Sequence, residues 1–246
     1  MSIPRLIFQT WKSKTDLPAN MKKWHDDAAI VNPGYEVILW DDDDNRRFVE
    51  EYFPWFLPTY DAFPAEIYRV DAVRPLFLYK FGGFYADLDV EFLRPFDQLG
   101  QIDKGVVLGS MGVNPNFPHS IPNAIMGSSP GEEFWLYYVG LMMEADPSRR
   151  PEYVTGPVIL KNAYDAYTQR YASDEVQRVI HRVVQERHVR SDVYLLSGNI
   201  FYPLDWNDRI HDEFRQKVLK EPLTREEALN FFPGSVTVTY WTHSWE

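Results

Sequence analysis

Cysteine is absent from this chain of 246 residues. That excludes a disulfide framework, a thiolate metal site and a cysteine nucleophile, so any metal must be held by oxygen or imidazole ligands. Nor does any apolar run approach the ~20 residues that span a bilayer, and the opening MSIPRLIFQTW lacks a secretory signal pattern. Both absences lead to the expectation of a soluble, cytoplasmic protein. Positive charge is scarce as well: 25 Lys and Arg stand against 36 Asp and Glu, for a formal net charge of −11. Such a balance argues against a nucleic-acid surface, which needs a basic face. It also sets a condition. An acidic protein that takes a phosphate ester must bring a local cation to it.

Repeats, low-complexity linkers and breaks in composition are missing too, so the length predicts one domain over 1–246 with a substantial core. Aromatic residues make up 16% of the chain, enough for a bulky core and for rings that line a cleft. Residues 3–11, IPRLIFQTW, read as a strand, 21–33 as a helix stopped at Asn32-Pro33, and YEVILW at 35–40 as a second strand. That alternation predicts an α/β fold with a nucleotide-type site at strand ends. Four aspartates at 41–44 invite a calcium loop, but Arg46 stands where such a loop needs glycine, and Arg47 would repel the ion. A helix N-cap with negative charge at the positive dipole end is the better reading.

Residues 65–81 read as a helix closed by Gly82-Gly83. Ile67, Asp71, Arg74, Leu78 and Phe81 fall on one helical stripe, which puts Asp71 and Arg74 on an apolar face. A plain i,i+3 ion pair would account for those two as well. Pro75 lacks the N–H for the Asp71 carbonyl and is expected to kink the helix. Farther along, strands are expected within 103–111 and 235–241, and helices within 129–145, 155–171 and 173–188. The stretch 112–124, rich in proline, glycine and asparagine, is expected as a loop beside the site.

Within GGFYADLDVEF (82–92), Asp87 and Asp89 stand two apart in an apolar, aromatic run. On a continuous strand they would share a face about 6.6 Å apart. They would then repel by roughly 2–3 kcal/mol at an effective dielectric of ~20. Protonation of one partner relieves this, a divalent cation relieves it, and so does an end to the strand that leaves both in water. A cation would also meet the condition set by the acidic composition, since it can hold a diphosphate and stabilise it as a leaving group.

YRVDAVRPLFLYKFGGFYADLDV resembles the signature of glycosyltransferase family 32, whose sugar-binding region contains the DxD motif. The resemblance extends to IPRLIFQTWKS, YEVILWDDDD, EYFPWFLPTYDAFP, IPNAIMGSSPGEEFW, TGPVIL and the terminal His-Ser-Trp, and leaves 172–232 unaligned. The large glucosylating toxins of clostridia share the same core. The resemblance implies a GT-A fold, an α/β sandwich around a mostly parallel sheet. It implies a retaining, Mn²⁺- or Mg²⁺-dependent hexosyltransferase that takes GDP-mannose or a UDP-sugar as donor and a glycan or glycolipid as acceptor. A glycolipid acceptor would bring the protein to the periphery of a membrane. The likeness around Pro54-Trp55-Phe56 favours mannose.

By that resemblance Asp89 ligates the metal, and Asp87 contacts the metal or the donor ribose and sugar. Asp71 accepts from donor-sugar hydroxyls, and Arg74 reaches the sugar or diphosphate. Tyr85 and Asn123 contact the donor, with a turn role as the alternative for Asn123. Gln9, Thr10 and Trp11 fall where the first strand meets the base, and His243 is a third metal ligand or a diphosphate contact. No residue stands out as a nucleophile, which favours same-face attack. Three other readings compete. One is a phosphatase of the haloacid-dehalogenase type, disfavoured by Phe84-Tyr85-Ala86 before the motif and Glu91 after it. The others are a non-catalytic sugar- or nucleotide-binding module and a transferase acting on protein.

Overall fold

The computed structural model describes residues 2–100, 102, 104–184 and 188–242. Its strands are β1 (Leu6–Thr10), β2 (Glu36–Trp40), β3 (Gly83–Ala86), β4 (Val90–Phe92), β5 (Val106–Gly109), β6 (Ile125–Ser128), β7 (Val193–Leu196) and β8 (Thr237–Thr239). The helices are α1 (Ala19–Val31), α2 (Asp42–Tyr52), α3 (Leu57–Ala62), α4 (Glu66–Phe81), α5 (Glu133–Glu144) and α6 (Pro151–Val154), then α7 (Pro157–Gln169), α8 (Asp174–Val183), α9 (Gly198–Phe201), α10 (Arg209–Lys220) and α11 (Arg225–Phe231).

The central sheet has the order β2-β1-β3-β6-β5-β7. Its pairings are parallel except where β6 runs against β3 and β5. The α/β fold read from the residues and the mostly parallel sheet implied by the resemblance are both present, with β6 as the antiparallel member. β4 and β8 pair antiparallel in a separate ribbon, so the closing strand joins β4 and not the main sheet.

Strand alternation divides the core. Phe8 and Tyr85 face one layer, where Phe8 stacks on Phe77 at 5.3 Å and Trp40 meets Phe77 edge-on at 4.9 Å. Ile7 and Phe84 face the other, where Phe84 stacks on Phe96 at 4.0 Å. Asp41 caps α2 through a capping box with Asp44, and Lys14 and Arg47 pair with Asp44. The aspartate run is thus a neutralised helix start.

α4 is buried without interruption from Asp71 to Leu78, so the single apolar stripe read from the sequence understates it. It is a central helix, surrounded on all sides in its middle turns, and it continues through Pro75. Gly82 ends it at φ +67° and Gly83 follows at φ +91°. A Cβ on Gly83 would sit 2.7 Å from the Leu6 carbonyl oxygen, so the double glycine permits both the turn and the close approach to β1. No helix among the described residues is long and apolar enough to cross a membrane.

Candidate active site

Parallel pairing of β1 with β3 brings their C-terminal ends to one edge, with Phe8 opposite Tyr85. Antiparallel β6 begins at that edge, and the Asp87 N–H donates to the Ala124 carbonyl at 2.8 Å. Three chain segments therefore meet there: 10–12 after β1, 87–89 after β3, and 122–124 before β6. Ligands of open α/β sheets bind at such an edge. A cavity of about 720 Å³ opens on it.

The strand stops at Ala86, and Asp87 to Val90 form a turn in which the Val90 N–H donates to the Asp87 carbonyl at 3.2 Å. The same-face strand geometry expected for the aspartates is thereby corrected. Leu88 belongs to the buried cluster that holds Met21 and Trp24, and it lines the cavity together with Asp87 and Asp89. Neither carboxylate is merely solvated. Asp87 Oδ1 accepts from the Tyr85 hydroxyl at 2.6 Å and pairs with Arg74 at 3.1 Å. Asp89 Oδ2 accepts from the Thr242 N–H at 2.8 Å and from its hydroxyl at 3.2 Å. With 27% of its side chain exposed, Asp87 still opens onto the cavity.

Arg74 is the hub. One terminal nitrogen pairs with Asp71 and with Asp87, each at 3.1 Å, and the other donates to the Asn123 carbonyl at 3.1 Å. Its guanidinium lies 4.7 Å over the Tyr85 ring. Asp71 Oδ1 also accepts from the Asn123 amide at 3.0 Å. Asn123 therefore ties the loop to the helix from both of its polar groups, which is more than a turn residue requires. Asp71 and Arg74 form the i,i+3 pair, but as part of a buried network and not as a surface bridge.

The electrostatics follow from this packing. Burial opposes the Arg74 charge, yet the facing Asp87, Tyr85 and Asp71 keep its pKa raised. Burial pushes Asp71 above the usual carboxylate range against the pull of Arg74 and Asn123. For Asp87, burial and the nearby Asp89 outweigh Arg74 and Tyr85 and push the carboxyl up to about 7. The like-charge conflict read from the sequence is real, though it arises across a turn.

The remaining candidates divide. Thr10 and Trp11 line the cavity; the Thr10 hydroxyl lies 3.1 Å from that of Tyr85, and the Trp11 indole donates to the Asp16 carbonyl at 2.9 Å. Gln9 is buried off the cavity, its Oε1 2.6 Å from His25 Nδ1. His243 lies outside the described residues, whereas Thr242 next to it touches Asp89. Sequence reasoning missed His119, Arg150, Glu152, Trp206 and Trp241, all on the wall. Only the loop reading of 112–124 pointed to any of them.

The donor set suits a hard divalent cation. Asp87 and Asp89 offer carboxylate oxygens, and among the described residues the Tyr85 and Arg74 contacts to Asp87 both fall on Oδ1. Among the described residues no three His, Cys, Asp or Glu converge as a closed metal cage. A Mg²⁺-like ion does not need one, since it is commonly held by one or two carboxylates together with substrate phosphates and water.

Residues 18–105 match the family described as glycosyltransferase sugar-binding region containing DXD motif. Inositol phosphoceramide mannosyltransferase 3 of Schizosaccharomyces pombe is 34% identical over 68% of this chain and 46% of its own length. Mannosyl phosphorylinositol ceramide synthase SUR1 of Saccharomyces cerevisiae is 28% identical over 81% of this chain and 52% of its own. The chain thus spans about half the length of these relatives. A solved structure titled PaToxG Glycosyltransferase superposes with a TM-score of 0.53 at 18% identity, over 76% of this chain and 82% of that one. That likeness shows the fold, the GT-A architecture.

Proposed function

From the membership of residues 18–105 in the DXD sugar-binding family, we infer that the chain is the catalytic core of a retaining mannosyltransferase. Its donor is a nucleotide-diphosphate mannose, its acceptor a glycolipid or glycan, and its chemistry needs a divalent cation. The observation that carries this reading is the network Asp71–Arg74–Asp87, with Asp89 beside it, at the C-terminal edge of the sheet. Mannose, in preference to another hexose, rests on the names of the relatives.

The residues divide the work. A cavity of about 720 Å³ accommodates a nucleotide-sugar. The half-exposed Trp11 ring offers a face to the base, next to Thr10 at the end of β1. Asp71, fixed by Asn123 and Arg74, accepts from sugar hydroxyls, and Arg74 presents positive charge toward the diphosphate. Asp87 and Asp89 would hold a divalent cation, which would supply positive charge to neutralise the departing diphosphate. On the same-face route the bond from the anomeric carbon to the diphosphate oxygen breaks as the acceptor oxygen adds on that face. The acceptor proton passes to the departing oxygen.

The test is a thermal-shift and turnover screen of GDP-mannose, UDP-glucose, UDP-galactose and UDP-N-acetylglucosamine, with and without Mn²⁺. A ligand at 100 times its Kd stabilises by about 2.7 kcal/mol. Mn²⁺-dependent stabilisation by GDP-mannose with release of mannose is the expected result. Stabilisation without turnover for any donor indicates a binding module, and stabilisation by none overturns the reading.

A further inference from the structure

Beyond the DxD floor, the cavity has a second wall made of Arg150, Glu152, His119 and Trp206. We propose that this wall is the acceptor subsite, that it takes a polyhydroxylated ring, and that Glu152 accepts a hydrogen bond from the ring hydroxyl that attacks. The proposal rests on the transferase reading and names which residues meet the second substrate.

Burial runs in one direction across the cavity. Asp71 and Arg74 are buried at its floor, whereas the Arg150 side chain is 75% exposed at its mouth. A donor held by the floor fills the deep end, so a second substrate enters past Arg150 and meets the mouth residues first. Glu152 sits between these extremes, with 14% of its side chain exposed. Its Oε1 is taken by Arg150, and its Oε2 is buried with no hydrogen-bond partner. A carboxylate oxygen in that state is an acceptor awaiting a donor. A sugar or cyclitol hydroxyl supplies one, and on the transferase reading the floor carboxylates Asp71, Asp87 and Asp89 are occupied by the donor and its cation.

The position of Glu152 is fixed by the fold. Tyr68 on α4 donates to the Arg149 carbonyl at 2.8 Å, and buried Tyr138 on α5 donates to the Thr155 carbonyl at 2.6 Å. Those two bonds pin both ends of the 149–155 segment. Gly156 completes the approach: a Cβ there would lie 2.9 Å from the Glu152 Cα and 3.1 Å from Asp71 Oδ2. Glu152 therefore stands next to the carboxylate proposed to hold the donor sugar.

The aromatic half of the wall suits the same ligand. His119 and Trp206 meet edge-to-face at 5.2 Å, and Phe117 packs on both, at 5.5 and 5.9 Å. Burial and Arg150 pull the His119 pKa down against Glu152, which keeps the imidazole neutral at pH 7. A neutral ring beside an indole offers C–H-compatible faces, and the carboxylate offers the polar contact. Such a combination recognises a polyol ring.

The probes are methyl α-mannoside and myo-inositol, observed by saturation-transfer NMR with Mn²⁺ and GDP present. Saturation of either ring by the wild type, lost in both Glu152→Ala and Trp206→Ala, is the expected result. In turnover, Glu152→Gln should lower transfer to the bound probe at least tenfold more than it lowers donor hydrolysis by water, with the thermal midpoint held near wild type. No saturation in the wild type overturns the proposal, as does saturation retained in both variants, or transfer and hydrolysis falling together. Failure of the transferase reading looks different: then the wild type hydrolyses no donor at all.

Discussion

The floor and the mouth of the cavity are built on opposite principles. At the floor, one arginine is shared by two carboxylates, a carbonyl and an aromatic face, while its Nε is buried without a hydrogen-bond partner. At the mouth, Arg150 is exposed, Glu152 keeps an unpartnered oxygen, and the lining comes from three distant stretches of chain. The difference teaches where affinity and where choice reside. A buried network that shares one charge among several partners is costly to disturb and holds one geometry. An open wall with an unfilled acceptor is cheap to alter and free to vary with the partner it receives.

Asp89→Asn should break the comparison most deeply, by removing charge from the floor without removing volume. The Thr242 contacts can persist on the amide oxygen, so the thermal midpoint without ligand should move little. Mn²⁺-dependent stabilisation by the donor should vanish, and turnover should fall at least about 100-fold. Wild-type turnover in this variant would remove Asp89 from the metal site. Next in size is Arg74→Ala, which leaves Asp71 facing Asp87 without compensation. Loss of one partner from a buried ion pair costs about 3–5 kcal/mol, read by chemical denaturation.

These floor residues were also the ones legible in the sequence. Asp71, Arg74, Tyr85, Asp87 and Asp89 fall within 19 consecutive positions, so helix period, glycine turn and motif spacing bring them together almost without tertiary information. The pair geometry was misread because the strand ends at Ala86 and the chain turns through residues 87–90, with Leu88 in a buried cluster shared with the distant Met21 and Trp24. Gln9 was misplaced relative to the cavity for a related reason. It is on the last turn of strand before the edge, and a one-residue step along β1 moves a side chain from one face to the other. His119, Glu152 and Trp206 carry no spacing signal at all, because the sheet order and two tyrosine hydroxyls assemble them. A central helix buried on all sides also erases the amphipathic stripe that sequence reading relies on.

The floor should respond to pH through Asp87. Asp87, raised to about 7, binds a proton more tightly in the folded, metal-free protein than in the unfolded chain. Its contribution to stability is therefore present at low pH and is lost as pH rises from the ordinary carboxylate range toward 7. Metal binding runs the other way, since the carboxyl must lose its proton first. Mn²⁺ affinity by calorimetry should be flat above pH 7 and fall by up to about tenfold per unit below it. An affinity independent of pH between 5.5 and 8 would show that Asp87 is not a ligand. Gly156→Ala tests a point where mouth and floor come close. The added methyl must displace the Glu152 backbone or the Asp71 carboxylate, and overpacking of this kind costs about 1–3 kcal/mol.

The smallest effect is expected at Arg150. Its side chain is 75% exposed at the mouth, so solvent screens its ion pair with Glu152 from the arginine side, although the Glu152 side chain is only 14% exposed. Arg150→Ala should therefore change the unfolding free energy by no more than about 1 kcal/mol. It nevertheless frees Glu152 Oε1, so the variant separates stability from recognition. If the mouth is built for choice, the apparent KM for the acceptor should shift while the KM for the donor stays within about twofold. A loss of stability comparable to that of Arg74→Ala would mean that the mouth is as structural as the floor, and the contrast between them would collapse.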